Sequence, residues 1–193
     1  MHAFSRLTSF ILFVLSLSIF AHALPAPGTS GVLATRDAKC DSLVNALVDL
    51  KAKVDVCVSA LVKADVVTDV TTQLDLIVAH VELSAHDIVS IGPVSDADVV
   101  VKADIAAKVA AIIAVILKAC LKVSIKLGVQ VIAELLVKLD AALKLLLVNV
   151  GACVDGVVVL VSKIVVTTCA HIIVMLNLQL CAKVLALVNL NIN

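Results

Sequence analysis

With 193 residues and zero formal net charge, the chain lacks the overall basic excess that nucleic-acid-binding proteins use to neutralise phosphates. Hydrophobic residues make up 62 % of it, yet Phe, Tyr and Trp together make up only 2 %, namely Phe4, Phe10, Phe13 and Phe20. Base-stacking platforms, cation–π cages and flat sugar-binding faces all need such rings, so a chain without them beyond residue 20 is excluded from those binding chemistries.

The N-terminus carries the three parts of a secretory signal. Arg6 closes a short n-region, Leu7 to Phe20 is apolar, and Ala21-His22-Ala23 matches an A-x-A cleavage pattern, so residues 1–23 are expected to be a signal peptide. The apolar run of about 14 residues is short for a membrane span, which needs ~20. Residues 24–36 hold two of the three prolines together with Gly28 and Gly31 and read as a linker or pro-segment, with Arg36 a candidate processing site. Residues 37–193 then form a single helical domain, long enough to bury a sizeable core. Its halves differ in charge: residues 37–98 hold eleven acidic and four basic side chains, whereas 99–193 hold four acidic side chains and nine lysines. Such asymmetry suits two halves that pack on each other.

Helical periodicity is clear in the acidic half. Cys40, Leu43, Leu47, Leu50, Val54, Cys57 and Leu61 alternate steps of three and four, as do Val67, Val70, Leu74, Ile77, Val81, Ser84, Ile88 and Ile91. Two amphipathic helices follow, the second capped by Asp65 or Thr68. Gly92-Pro93 ends this hairpin. Ser95 and Asp98 resemble a capping box for a third helix that runs to about Leu127 before Gly128, with Lys118, Lys122 and Lys126 on one face. A fourth helix fits Val129 to Val148, with a Glu134–Lys138 pair, and the segment Gly151 to Gly156 breaks it. A fifth runs from about Val157 to near the end. The last two are apolar almost all round, which implies a central buried position or a face that meets something apolar. Val157 to Val161 has the composition of a strand, but no period-two alternation extends over it and no hairpin turn follows. Ile164 to Ala182 carries no charge, yet its Thr167, Thr168, His171, Asn177 and Gln179 favour a buried helix over a membrane span.

Six cysteines in a chain routed for secretion point to three disulfides, for which fifteen pairings exist. Cys40 and Cys57 lie about 25 Å apart along one helix and cannot bond to each other. Cys153 and Cys169 have nearly the same rise. In an up-down bundle the first and fifth helices run parallel, so Cys40–Cys153 and Cys57–Cys169 would sit at matching heights and leave Cys120–Cys181 as the third bond. Six buried thiols are the alternative. The spacing shows no Cys-x-x-Cys or Cys-His ligand pair, and neither metal nor cofactor is expected.

Catalytic patterns are missing. His80, Glu82, His86 and Asp87 form a cluster of titratable groups, but on a helix the two histidines are about 120° from sharing a face, and a solvated surface accounts for them. His171 reads as a satisfied core histidine. No G-x-S-x-G, H-E-x-x-H, P-loop or dinucleotide-binding glycine pattern occurs, so no catalytic residue is assigned and the chain is not expected to be an enzyme.

The stretch Gln73 to Ala119, with its Leu/Val/Ala-rich repeat and the linker Gly92-Pro93-Val94-Ser95-Asp96-Ala97-Asp98, resembles the fungal secreted hydrophobic-surface-binding and cell-wall mannoprotein family. The signal-like N-terminus followed by Thr35-Arg36-Asp37 is similar to that of many fungal secreted proteins. The resemblance covers about a quarter of the chain and rests on composition; six cysteines depart from it, because that family's helical domain has no defining disulfide framework. It implies an extracellular all-helical protein that adsorbs to apolar surfaces.

The expected fold is therefore an all-α, disulfide-stapled bundle of about five amphipathic to apolar helices. The expected function is that of a secreted, extracellular or cell-wall, non-enzymatic protein whose aliphatic helix faces bind a hydrophobic surface, the cell wall, lipid or copies of itself. The alternative is an extracellular lipid or sterol carrier with an aliphatic cavity. A membrane-active toxin is a third reading. Nucleic acid is not expected as a partner.

Overall fold

The computed structural model describes residues 38–94 and 97–185. The signal-like and linker segments, Ser95 and the last eight residues lie outside the described part. Within it are α1 (Ala38–Lys63), α2 (Val67–Ile91), α3 (Val99–Leu127), a 3-10 turn (Val129–Ile132), α4 (Ala133–Cys153), α5 (Val157–Met175) and α6 (Gln179–Val184). Valine is a mediocre helix former because its branched β-carbon is stiff, but burial of an apolar stripe outweighs a few tenths of a kcal/mol per residue.

In α1 all seven periodic positions, Cys40 through Leu61, are buried. In α2 the stripe is widened by Val78 and Ala85, while Val67 is left exposed. Val66 stands at the start of α2 without a side-chain cap, so neither Asp65 nor Thr68 caps it. Asp65 instead binds Lys126 of α3, which also donates to the Ala64 carbonyl at 2.9 Å. The third helix starts one residue after Asp98, whose carboxylate accepts from Val101 N–H at 2.7 Å; Asp98 is the N-cap itself rather than the third residue of a box begun by Ser95.

The helices stack in two rows. In the first, α3 lies between α1 and α5; in the second, α4 lies between α2 and α6. α1 also pairs with α2, and α4 meets α5. Side-chain bonds Lys126 to Ala64, Lys138 to Asp75, Asn149 to Ala85 and Cys153 to Ile88 join residues 62, 63, 64 and 65 positions apart. The three α4–α2 bonds, at nearly constant offset, require α4 to run parallel to α2, and the Lys126–Ala64 bond together with the groove that Leu47 and Lys51 share with Ala107 and Ala111 places α3 parallel to α1. The middle helices carry the most continuous core, including Ile105, Ile112, Ile113, Ile116 and Leu117 of α3 and Leu139, Leu143, Leu146 and Leu147 of α4, all buried. Each such side chain contributes about 1.5–3 kcal/mol of transfer free energy.

Two expectations about the last helices change. The fourth helix begins at Ala133, after a 3-10 turn, and continues to Cys153; Lys138 bonds Asp75 across the row at 3.2 Å rather than Glu134. The fifth stops at Met175, giving six α-helices among the described residues instead of five. Asn177 adopts φ 55°, Leu178 N–H reaches the Ile173 carbonyl and Asn177 N–H the Val174 carbonyl, the bond pattern of a Schellman helix end with Asn in the left-handed position usually held by Gly. Leu178 and Ile173, both buried, make the accompanying apolar pair.

The disulfide staples are not formed. Cys40, Cys57, Cys120, Cys153, Cys169 and Cys181 are all buried as thiols, and none lies at bonding distance from another. The expectation put Cys153 and Cys169 together with Cys181 around one fifth helix, but Cys153 ends α4, Cys169 lies on α5 and Cys181 on α6, and α3 stands between α1 with Cys57 and α5 with Cys169. The Cys153 thiol bonds the Ile88 carbonyl at 3.2 Å instead.

Candidate functional site

The helix composed for burial is not the buried one. α5 is long and apolar enough to cross a membrane, with a mean hydropathy of 2.3, yet only 33 % of that window is buried. As the end helix of its row it has α3 on one side and no further helix of the described chain on the other. Its exposed positions include Lys163, Thr167, Thr168 and His171, with Val159 near one end and Val174 and Met175 at the other. His171 is thus a surface residue, not a core one. The outer stripe of α5 is mixed, and Val158, Leu160, Ile164 and Val166 beside it are half-buried.

A denser group of exposed aliphatic side chains lies elsewhere, at the end of the molecule where α1 and α3 finish and α2 and α4 begin. The α1–α2 turn presents Val62, Val66 and Val67, and the α3–α4 turn presents Ile125, Val129 and Val131. Ile125 is 75 % and Val66 56 % exposed, extents at which large aliphatic side chains gain almost nothing from the core. Turns normally carry polar residues, because exposed backbone and solvent leave no apolar partner.

A hydrogen-bonded link brings the two turns together. Lys126 joins the turns by donating to the Ala64 carbonyl and the Asp65 carboxylate, between Val62 and Val66 on one side and next to Ile125 on the other. The bond also satisfies a carbonyl at the end of α1, where helix carbonyls lack intrahelical donors. Gly128, at φ 90°, lets the chain turn sharply out of α3. The following 3-10 turn sends Ile132 into the core while Val129 and Val131 face solvent. The result is a tip of two linked turns on which exposed aliphatic side chains stand among Lys63, Asp65, Thr68 and Gln130.

Helical periodicity could not find this tip, since Val66, Val129 and Val131 fall outside the helices. The usable signal was valine where turn residues belong. Of the three lysines placed on one face of α3, Lys118 and Lys122 are exposed and Lys126 folds back as the link between turns.

The remaining candidate residues do not assemble into a reactive site. His80, Glu82, His86 and Asp87 line the surface side of α2, and among the described residues no group of three or more His, Cys, Asp or Glu could hold a metal ion. Burial pushes the Cys57 and Cys153 thiols up, Lys39 partly offsetting it for Cys153, and pushes Cys120 up to about 12. Cys181 is pushed to about 12 by burial and by the charge of Asp140. Thiols so displaced from the thiolate form are poor nucleophiles and poor metal ligands. Open grooves among the described residues include one of 340 Å³ between α1 and α3 and a more polar one of 310 Å³ inside the α1–α2 turn. No family model matches this chain, and no curated protein matches it.

Proposed function

We propose that this is a secreted, non-enzymatic helical protein that binds hydrophobic surfaces, and that it does so through the tip formed by Val62, Val66, Val67, Ile125, Val129 and Val131. The observation that carries the reading is that these aliphatic side chains are exposed on two turns which Lys126 ties together. Large aliphatic side chains grouped on linked turns suit a surface that meets something apolar, and covering them releases about 25 cal/mol per Å². Rigid anchoring means that little conformational entropy is lost on contact. The resemblance of Gln73 to Ala119 to the fungal surface-binding and cell-wall family points the same way. Six buried thiols are compatible with an oxidising compartment, because burial withholds access.

The test is adsorption. Purified protein at low micromolar concentration is expected to deplete from solution onto hydrophobic beads and to stay bound in high salt, since screening does not weaken apolar contact. Val66→Asp, Ile125→Asp and Val131→Asp together should abolish depletion, whereas Val159→Asp with Val174→Asp on α5 should leave it. Loss in the α5 variant alone would move the surface to α5. Retention by the tip variant would overturn the assignment.

A further inference from the structure

We propose that copies of this chain associate side to side, the outer face of α2 in one copy docking on the outer face of α3 in the next. The two faces are complementary in charge. α2 contains Asp69, Asp75, Glu82 and Asp87 and no lysine or arginine. α3 contains five lysines and a single acidic residue, Asp104. Within a molecule the opposite charges are not used on each other: α2 and α3 each flank α1, and Glu82, Asp87, Lys118 and Lys122 are exposed without ion-pair partners in the described chain. Asp75 alone of the α2 acids is engaged, with Lys138.

Shape agrees with charge. The outer side of α2 carries Leu76 and Leu83, 42 % and 56 % exposed, seven residues and so two turns apart on one stripe with Ala79 between them. The outer side of α3 is lined by small residues, and Ala107 and Ala111 with Leu47 and Val48 of α1 form the floor of the 340 Å³ groove, whose rim holds the Lys108–Asp104 pair. Leucines from α2 would fill that groove while Glu82 and Asp87 meet Lys118 and Lys122 beyond its end. The occupant is a second copy because this chain itself supplies both the acidic leucine face and the basic grooved one. Such a contact is heterologous, so a pair of copies keeps one unused α2 face and one unused α3 face, and association continues beyond a dimer unless a ring closes. Apolar tips are not needed for it, and the inference stands apart from the adsorption reading.

Sedimentation velocity of the full chain tests the proposal. At about 20 mM salt the weight-average sedimentation coefficient should rise with protein concentration, and at about 0.3 M salt the apparent association constant should fall on the order of tenfold, because rim charges are screened. Glu82→Lys with Asp87→Lys, and separately Lys118→Glu with Lys122→Glu, should each weaken association at low salt by at least as much. All four residues are on the surface, so the fold should survive. Mixing the two variants, or combining all four changes in one chain, should regain association. The tip variant carrying Val66→Asp, Ile125→Asp and Val131→Asp should associate like the original chain. A monomer at every concentration at low salt, association indifferent to either charge reversal, or failure of the mixture to recover would each overturn the pairing.

Discussion

Asp140 of α4 and Cys181 of α6, forty-one residues apart, are joined by a 2.8 Å hydrogen bond from the Cys181 N–H to one carboxylate oxygen, while the other oxygen accepts from Leu180 N–H at 2.8 Å. Leu180 and Cys181 are the second and third residues of α6, the positions whose amides a capping side chain ordinarily serves. Leu178, at the cap position, has no side chain able to do this. A buried carboxylate from another helix replaces it, and its negative charge faces the positive end of the helix. A six-residue helix has little stability of its own, so its place depends on this contact and on burial of Cys181.

Replacing Asp140 with Ala removes both acceptors and leaves two amides without them. Global stability should drop by about 1–3 kcal/mol, the cost of unsatisfied buried donors. The damage should be local: hydrogen exchange at Leu180 and Cys181 should rise towards exposed rates, while Ile112, Ile113 and Ile116 of α3 keep their protection. Unchanged exchange in α6 would show that packing alone holds it.

The six cysteines give a second prediction. Intact mass of the native protein should correspond to six thiols, and iodoacetamide should label none of them quickly until the chain is unfolded, after which all six react. Alkaline pH should destabilise the fold. Cys120 and Cys181 hold their protons to about 12 when folded, against an ordinary 9.0. Below about pH 9 both states are protonated and the stabilisation is fully present; as pH rises towards 12 the unfolded chain releases protons that the folded chain retains, and the stabilisation is lost. At about pH 10 the loss is on the order of 1.4 kcal/mol per thiol. Chemical denaturation at about pH 7 and pH 10 should therefore show a smaller difference for Cys120→Ala than for the original chain.

Where residues act locally, the sequence could be read closely. The buried stripe of α1 and the end of α3 before Gly128 follow from spacing and from one glycine, because helix faces and left-handed turns are short-range properties. Failures came from long-range facts. Six cysteines and a signal-like N-terminus imply staples by compartment and count, yet bonding needs thiols on adjacent helices, and α3 intervenes between α1 with Cys57 and α5 with Cys169, while Cys153 ends α4 and Cys181 lies on α6. The break after Met175 was hidden because Asn177 does what Gly usually does and because the cap for α6 comes from Asp140. The apolar tip escaped for a third reason: periodicity weighs faces of helices, whereas Val66, Val129 and Val131 stand between them.

The α4–α5 corner gives the last prediction. Gly151 lies in the final turn of α4, and a β-carbon added there would stand 2.7 Å from Val158 Cγ2 at the start of α5. Two effects of Gly151→Ala oppose each other. Alanine in a helix is favoured over glycine by about 1 kcal/mol. Against this, valine is stiff at χ1 in a helix and cannot easily turn the methyl away, so the clash must be relieved by moving α5, at about 1–3 kcal/mol. Overpacking should win, and Gly151→Ala should lower stability by about 1 kcal/mol or more. Val158 is half-buried, so Val158→Ala alone should cost little. In the double variant the clash is gone and the helix preference remains, so Gly151→Ala made in the Val158→Ala background should raise stability by up to about 1 kcal/mol. This change of sign, measured by denaturation of all four proteins, is what a steric cause requires. The same loss in both backgrounds would place the cost of Gly151→Ala elsewhere than Val158.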